Sequence, residues 1–221
     1  WIYLVVSGPR RTLIDTGGGC EQYIGLLGSA LDSTGASAID SILLTHSHED
    51  HIGGIKQLRE LFPKVPIYKM PSEYRPATDQ SIAPLQFLKG GEQFTANGVT
   101  LNVIPTPGHC DDHAVFHLLE EDALFTGDTV LGYGSTMFMC YPDYMTSLKT
   151  LRALKPKLIY PGHGPSIDDA CGKLDEYIEH RETREVQILT ALREFVARQP
   201  AADQDGTSVQ RTRSLSAMET V

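Results

Sequence analysis

The sequence predicts an α/β fold, and three observations predict it. Strand-like apolar runs alternate with helical spacing over the first 60 residues. Three separate apolar strands end in polar loops bearing histidine. The chain's 221 residues, 41% hydrophobic and 21% charged, are enough for one core. At roughly 150 residues per domain, this length excludes a multidomain machine.

Taken in order, WIYLVV and RTLIDTG read as two strands joined by the SGPR turn, the second ending at Asp15 and glycines 17 to 19. EQYIGLLGSALDSTG puts Tyr23, Leu26, Leu27, Ala30 and Leu31 on one helical face, and Gly35 stops that helix. SILL is a short buried strand that runs into THSHEDH, after which Ile52, Ile55, Leu58, Leu61 and Phe62 resume helical spacing. Residues 71–91, with three prolines, read as a crossing loop or a short helix. GVTLNVIPTPGH is a strand and a turn, HAVFHLLE a second strand and ALFTGD a third. Tyr144, Leu148, Leu151 and Leu154 space a short helix, and KLIYPGHG delivers His163 into a glycine loop. Ala170, Leu174, Tyr177, Ile178, Arg181, Ile188, Leu189, Leu192 and Phe195 trace one side of a helix over 168–197, about 45 Å long. An apolar side of that length is expected to lie back on the rest of the fold. The tail 199–214 is polar and turn-rich, and LSAMETV opens a further helix. The expected division is a catalytic domain over 1–167 and, over 168–221, the long helix with the start of an incomplete C-terminal helical part.

Of the eight histidines, five fall in loops just after strands: His46, His48, His51, His109 and His163. His180 is a surface residue of the long helix, and His113 and His117 alternate with Val115 along a strand and face one side, as plain strand residues or as supports behind the site. Neutral imidazole binds borderline divalent ions well, and the spacing of His46 and His48 lets both approach one ion from a tight loop. Asp50 and His51 follow where the chain turns into a helix and can be aimed at a second ion. With Asp128 and His163, seven candidate ligands are available. One zinc uses about three protein ligands plus water, so seven suit two sites sharing a carboxylate. Two Zn²⁺ per chain are expected, and Mn²⁺ or Fe²⁺ suit such donors as well. Asp50 is cast as the catalytic residue, a ligand that orients the nucleophile and shares in proton handling.

THSHEDH, with LIDTG before it and PTPGH, TGD and YPGHG after it, resembles the metallo-beta-lactamase superfamily across residues 1–170. The resemblance implies an αββα sandwich with both metals at one sheet edge. It also implies His46, His48 and His109 on the first ion, Asp50, His51 and His163 on the second, Asp128 bridging them, and Asp15 supporting the site without ligating. Within the superfamily, GPRRTLIDTG, PTPGHCDDH, EEDALFTGDTVLG, YMTSLKTL, YPGHGPSI and YIEHRETREVQIL are similar to a branch of mitochondrial single-strand endoribonucleases and fungal thioesterases. That branch implies a winged-helix-like C-terminal part. It usually carries an aromatic residue where this chain has Ser47, which leaves the expected pocket floor more open.

Two functions follow as expectations. The first is cleavage of single-stranded RNA, by attack of a metal-bridging hydroxide on a phosphodiester. The second is hydrolysis of an acyl thioester, of acyl-carrier or glutathione type, at the same site. Composition opposes the first, since 19 Lys and Arg against 28 Asp and Glu give a net charge of -9 and no general polycation. Only Lys149, Arg152, Lys155 and Lys157 form an acid-free basic stretch near the site, a candidate phosphate-binding group. The four cysteines form no close pair and read as reduced thiols of an intracellular protein, in the mitochondrial matrix or cytoplasm. No apolar run approaches the roughly 18 residues that cross a membrane, and the sequence leaves monomer and homodimer equally open.

Overall fold

A computed structural model describes residues 2–5, 9–82, 84–96 and 98–198. The first half of the SGPR turn, the 199–214 tail and the LSAMETV helix lie outside the described residues. Element order is β1 (Tyr3–Val5), β2 (Arg10–Ile14), α1 (Tyr23–Ser33), β3 (Ala38–Leu43), α2 (Glu49–Ile52), α3 (Ile55–Leu61), β4 (Ile67–Lys69), α4 (Pro76–Ser81) and β5 (Gln86–Phe87). There follow β6 (Gln93–Ala96), β7 (Val99–Pro105), β8 (Ala114–Leu118), β9 (Ala123–Gly127), α5 (Tyr141–Ala153), β10 (Leu158–Pro161) and α6 (Ala170–Arg198).

These strands form two five-stranded sheets, ordered β1-β2-β3-β4-β5 and β10-β9-β8-β7-β6. In the first, β1 is antiparallel to β2 and the remaining pairs are parallel; in the second only β9 and β10 are parallel. Alternation along the strands explains the layering. Leu13 and Ile42 face outward to Tyr23, Leu27, Ile55 and Leu58 of the first helical layer, while Ile14 and Leu43 meet Phe116 and Phe125 between the sheets. Val115 and Leu124 turn the other way, to Leu148, Leu151 and Leu174 of α5 and α6. Both faces of the central strands are therefore covered, which is why they read as nearly continuous apolar runs. The result is an αββα sandwich with a long C-terminal helix.

Four local expectations change. Leu26 is 67% exposed, so the buried face of α1 is Tyr23, Leu27 and Leu31 alone. The helix expected after THSHEDH is broken into α2 and α3 at Gly53 and Gly54, and Leu61 is exposed. At Gly53 a Cβ would sit 2.7 Å from Gly18 backbone, so these glycines let the loop after β2 press against the helix pair. Segment 71–91 holds α4 and β5, and β4, β5 and β6 are two to four residues long, too short to show a period. On α6 the fully buried positions stop at Tyr177, and Val186, Ile188, Leu189, Leu192, Phe195 and Val196 are exposed. The apolar side of that helix lies on the sandwich only over its first turns.

Candidate metal centre

Five loops meet at one edge of the sandwich, and each follows the C-terminal end of a strand. Asp15 follows β2, residues 45–51 follow β3, residues 106–113 follow β7, Asp128 follows β9 and His163 follows β10. Strand ends hold such loops on a rigid base while leaving their side chains free to converge.

The converging atoms form two clusters. In the first, His48 Nδ1 lies 2.9 Å from His46 Nε2 and 3.1 Å from His109 Nε2. Asp128 Oδ2 completes it, 3.9 Å from His46 Nε2 and 3.8 Å from His109 Nε2. In the second, His163 Nε2 lies 2.9 Å from Asp50 Oδ2 and 3.5 Å from Asp128 Oδ1. His51 Nε2 lies 3.3 Å from Asp128 Oδ1 and 3.5 Å from Asp50 Oδ2. Donors about 2.1 Å from a tetrahedral ion stand roughly 3.4 Å from each other, so both clusters have the spacing of an ion's ligand shell. Asp128 turns a different oxygen to each. The buried atoms His51 Nε2 and Asp128 Oδ1 have no well-directed hydrogen bond among the described residues. A buried polar atom left so is costly, and a cation between the two would satisfy both.

Around these atoms the chain holds the rings in place. Asp15, at a left-handed φ of 59°, accepts at Oδ1 from the Thr45 N–H at 2.8 Å and at Oδ2 from the Thr45 hydroxyl at 2.9 Å. His51 Nδ1 lies 2.8 Å from the same Oδ2, so it donates there and leaves Nε2 for the second cluster. His109 Nδ1 donates to the Met137 carbonyl at 2.8 Å, which likewise turns Nε2 inward. Gly108 has φ 131°, and a Cβ there would come within 2.4 Å of Tyr144 backbone, so the turn before His109 fits against α5 only as glycine.

Burial and the neighbouring imidazoles push His46 well below the ordinary histidine range, so it is neutral and ready to ligate. His48 is lowered by burial and by His109 and Arg75. His51 goes the other way: burial opposes its charge, but Asp15 and Asp128 outweigh burial and lift it to about 10. For Asp128, burial acts upward, yet His51, His163 and His109 bring it down to about 2.

His113 stands close behind the first cluster, its ring 5.0 Å from that of His46. Its Nε2 accepts from the Asp128 N–H at 3.1 Å, and Nδ1 lies 2.8 Å from the Thr106 hydroxyl and 3.1 Å from that of Thr129. Complete burial and His109 lower it to about 3, so it is a neutral bracket for the Asp128 backbone. Alternation along a strand groups His113 with His117 and cannot separate them. His180 is exposed on α6, outside both clusters. Ser47 does not open a pocket floor: it is 4% exposed, and its hydroxyl donates to buried Asp112. Lys149 pairs with Glu182 at 2.9 Å, Arg152 with Asp175 at 2.7 Å and Lys157 with Asp122 at 2.7 Å, while Lys155 lies just beyond α5 at a φ of 55°. All four cysteines are free thiols, and no helix among the described residues is long and apolar enough to cross a membrane.

Residues 1–163 match the metallo-beta-lactamase superfamily. The chain belongs to that superfamily. A beta-lactamase-like protein 2 homolog from Caenorhabditis elegans is 43% identical over 196 residues, covering 87% of this chain and 65% of that protein. An atrochrysone carboxyl ACP thioesterase from Aspergillus fumigatus is 36% identical over 209 residues, covering 94% of this chain and 64% of that protein. The chain thus spans somewhat under two thirds of the length of those relatives. Among solved structures, a di-iron-bound form of TTHA1623 aligns with a TM-score of 0.61 at 28% identity, covering 77% of this chain and 90% of that one. Family and geometry together give the chain a dinuclear metal-binding site.

Proposed function

We propose that the chain hydrolyses an acyl thioester with two zinc ions at this site. The rim of the site carries the reading. The segment bonded to His109 exposes Tyr133, Met137 and Met139, an apolar lip suited to an acyl chain. The basic side chains Lys149, Arg152 and Lys157 are each engaged by a carboxylate and are not set to hold a row of phosphates. The Aspergillus relative's name, an ACP thioesterase, supports the same substrate class. Four free thiols support an intracellular setting, mitochondrial matrix or cytoplasm.

His46, His48 and His109 would hold the first ion, Asp50, His51 and His163 the second, and Asp128 would contribute one oxygen to each. When bound, such ions supply Lewis acidity at the scissile carbonyl and a nucleophile available at neutral pH. Asp50 is half exposed and meets His163 through Oδ2. Its other oxygen is open, at the mouth of the site, to receive a proton during attack and return it to the departing thiolate. His51 is held by Asp15, so its ring stays aimed while charge develops.

The test runs an acyl-carrier thioester, a glutathione thioester, single-stranded RNA and duplex RNA side by side on zinc-loaded protein and on Asp50→Ala. We expect a thioester to turn over at least about a hundredfold faster with wild type than with Asp50→Ala, and RNA loss to be equal in the two. RNA cleavage lost in Asp50→Ala, with both thioesters untouched by wild type, would replace this reading with the endoribonuclease. Metal analysis after purification without chelator is expected to give two zinc equivalents, and iron or manganese in their place would correct the metal.

A further inference from the structure

Behind the first cluster lies a charged group that ligation does not use. Lys69, the last residue of β4, is 0% exposed. Its ammonium reaches Met70 O at 2.5 Å, Asp112 Oδ2 at 2.6 Å and Asp79 Oδ1 at 2.9 Å. Asp112, itself 1% exposed, accepts from the Ser47 hydroxyl at 2.5 Å. Ser47 stands between His46 and His48, and Asp112 belongs to the loop of residues 106–113 that carries His109. One carboxylate, gripped by one lysine, therefore joins both loops that feed the first cluster. Asp79 extends the grip by accepting from the Ser72 N–H at 3.1 Å, and the Ser72 hydroxyl donates to Asp111 at 3.1 Å.

A lysine and two aspartates taken out of water carry a heavy desolvation penalty, and apolar residues of the same volume usually do at least as well for stability. An apolar contact, however, sets no direction. A carboxylate can hold two donors at once at defined angles, provided that a cation keeps it ionised. Burial pushes the Asp112 carboxyl upward, but Lys69, together with the bond from Ser47, holds it below the usual range.

We propose that Lys69 is a positioning residue of the metal centre, which sets, through Asp112, the separation between the loop of His46 and His48 and the loop of His109. This rests on the reading of that cluster as a metal site. It assigns a role to three residues, Lys69, Asp112 and Ser47, that touch no ligand atom.

Zinc affinity measured by competition with a chromophoric chelator tests it, together with the visible spectrum of the cobalt-substituted protein and the unfolding midpoint of the metal-free protein. Ser47→Ala removes one donor and leaves the ion pair whole. One zinc equivalent is expected to bind ten- to a hundredfold more weakly in it, with a changed cobalt spectrum and an unmoved metal-free midpoint. Ser47→Thr keeps the hydroxyl and restores both metal readouts. Lys69→Met shows the same metal defect with a lowered midpoint. Should it not fold, Lys69→Met/Asp79→Asn/Asp112→Asn, in which the charges leave together, carries the test and shows the same weakened zinc. Wild-type affinity and spectrum in Ser47→Ala and in the lysine variant overturn the proposal alone, because wild type still binds two zinc ions. A wild type that binds no zinc overturns the metal reading and this proposal with it.

Discussion

At the scale of single residues, the site combines side chains that motif spacing exposes with others that only the fold brings in. The loops that converge there were legible because THSHEDH, PTPGH and YPGHG put rare residue types at strand ends, where a core has no use for them. Lys69, His113 and Thr45 were not. Each is an ordinary member or neighbour of an apolar strand, and the aspartate it meets, Asp112, Asp128 or Asp15, lies at least 15 residues away in sequence. Gly162 lies between these cases: a Cβ there would stand 2.5 Å from Asp128 Oδ1 and 2.9 Å from Gly127 backbone. Gly162→Ala is therefore expected to displace Asp128, cut metal content below two equivalents and lower turnover at least about tenfold; normal metal content would show that the loop yields. A pH dependence follows from His51. Its pKa near 10 in the metal-free fold lies above the roughly 6.5 of an unfolded histidine. Its contribution is full below about pH 6.5 and fades as pH rises through 10. Buried His46 is lowered and acts oppositely, weakening the fold as pH drops below about 6.5. Metal-free protein should show its highest unfolding midpoint near neutrality and lose stability on both sides; a midpoint still climbing from pH 7 to 10 would contradict the placement of His51 between Asp15 and Asp128.

At the scale of elements, periodicity located the long structures and missed the short ones. α5 and α6 are long enough for repeated spacing to show, whereas β4 has three residues and β5 two, so no period can form. Periodicity also says which side of a helix is apolar without saying where its partner ends, and α6 shows the difference. Leu174 is 0% exposed, packed with Leu148 and Ile159, while Leu192 is 39% exposed on the same helix. Leu174→Ala should cost about 2–5 kcal/mol, the range for removing a large side chain from a tight core, and Leu192→Ala about 0.5 kcal/mol or less. Denaturant midpoints of the two variants check this, and equal losses would mean that the distal half is covered in solution.

For the molecule as a whole, the α/β class was legible from the alternating patterns and the αββα arrangement from the superfamily resemblance, while β5 and β6, which complete one edge of each sheet, were not legible. The candidate ligands divide between the two sheets. His46, His48, Asp50 and His51 follow β3 of the first, whereas His109, Asp128 and His163 follow β7, β9 and β10 of the second. Neither cluster is complete until the sheets have docked, and the docking joins positions as distant as 46 and 163 along the chain. Such long-range closure belongs late on a folding path. An ion held there acts as a latch: it can be captured only after the barrier has been crossed, and it must be released, or the sheets pulled apart around it, before the chain can open. Zinc should consequently slow unfolding by a large factor and leave the refolding rate nearly unchanged, a signature of contacts absent from the transition state. Stopped-flow traces with and without zinc read both limbs, and refolding accelerated by zinc would place the two-sheet edge early instead. The same latch makes the protein's lifetime depend on metal supply, so a chain stripped of its ions would be lost to proteolysis before it was lost to thermal unfolding.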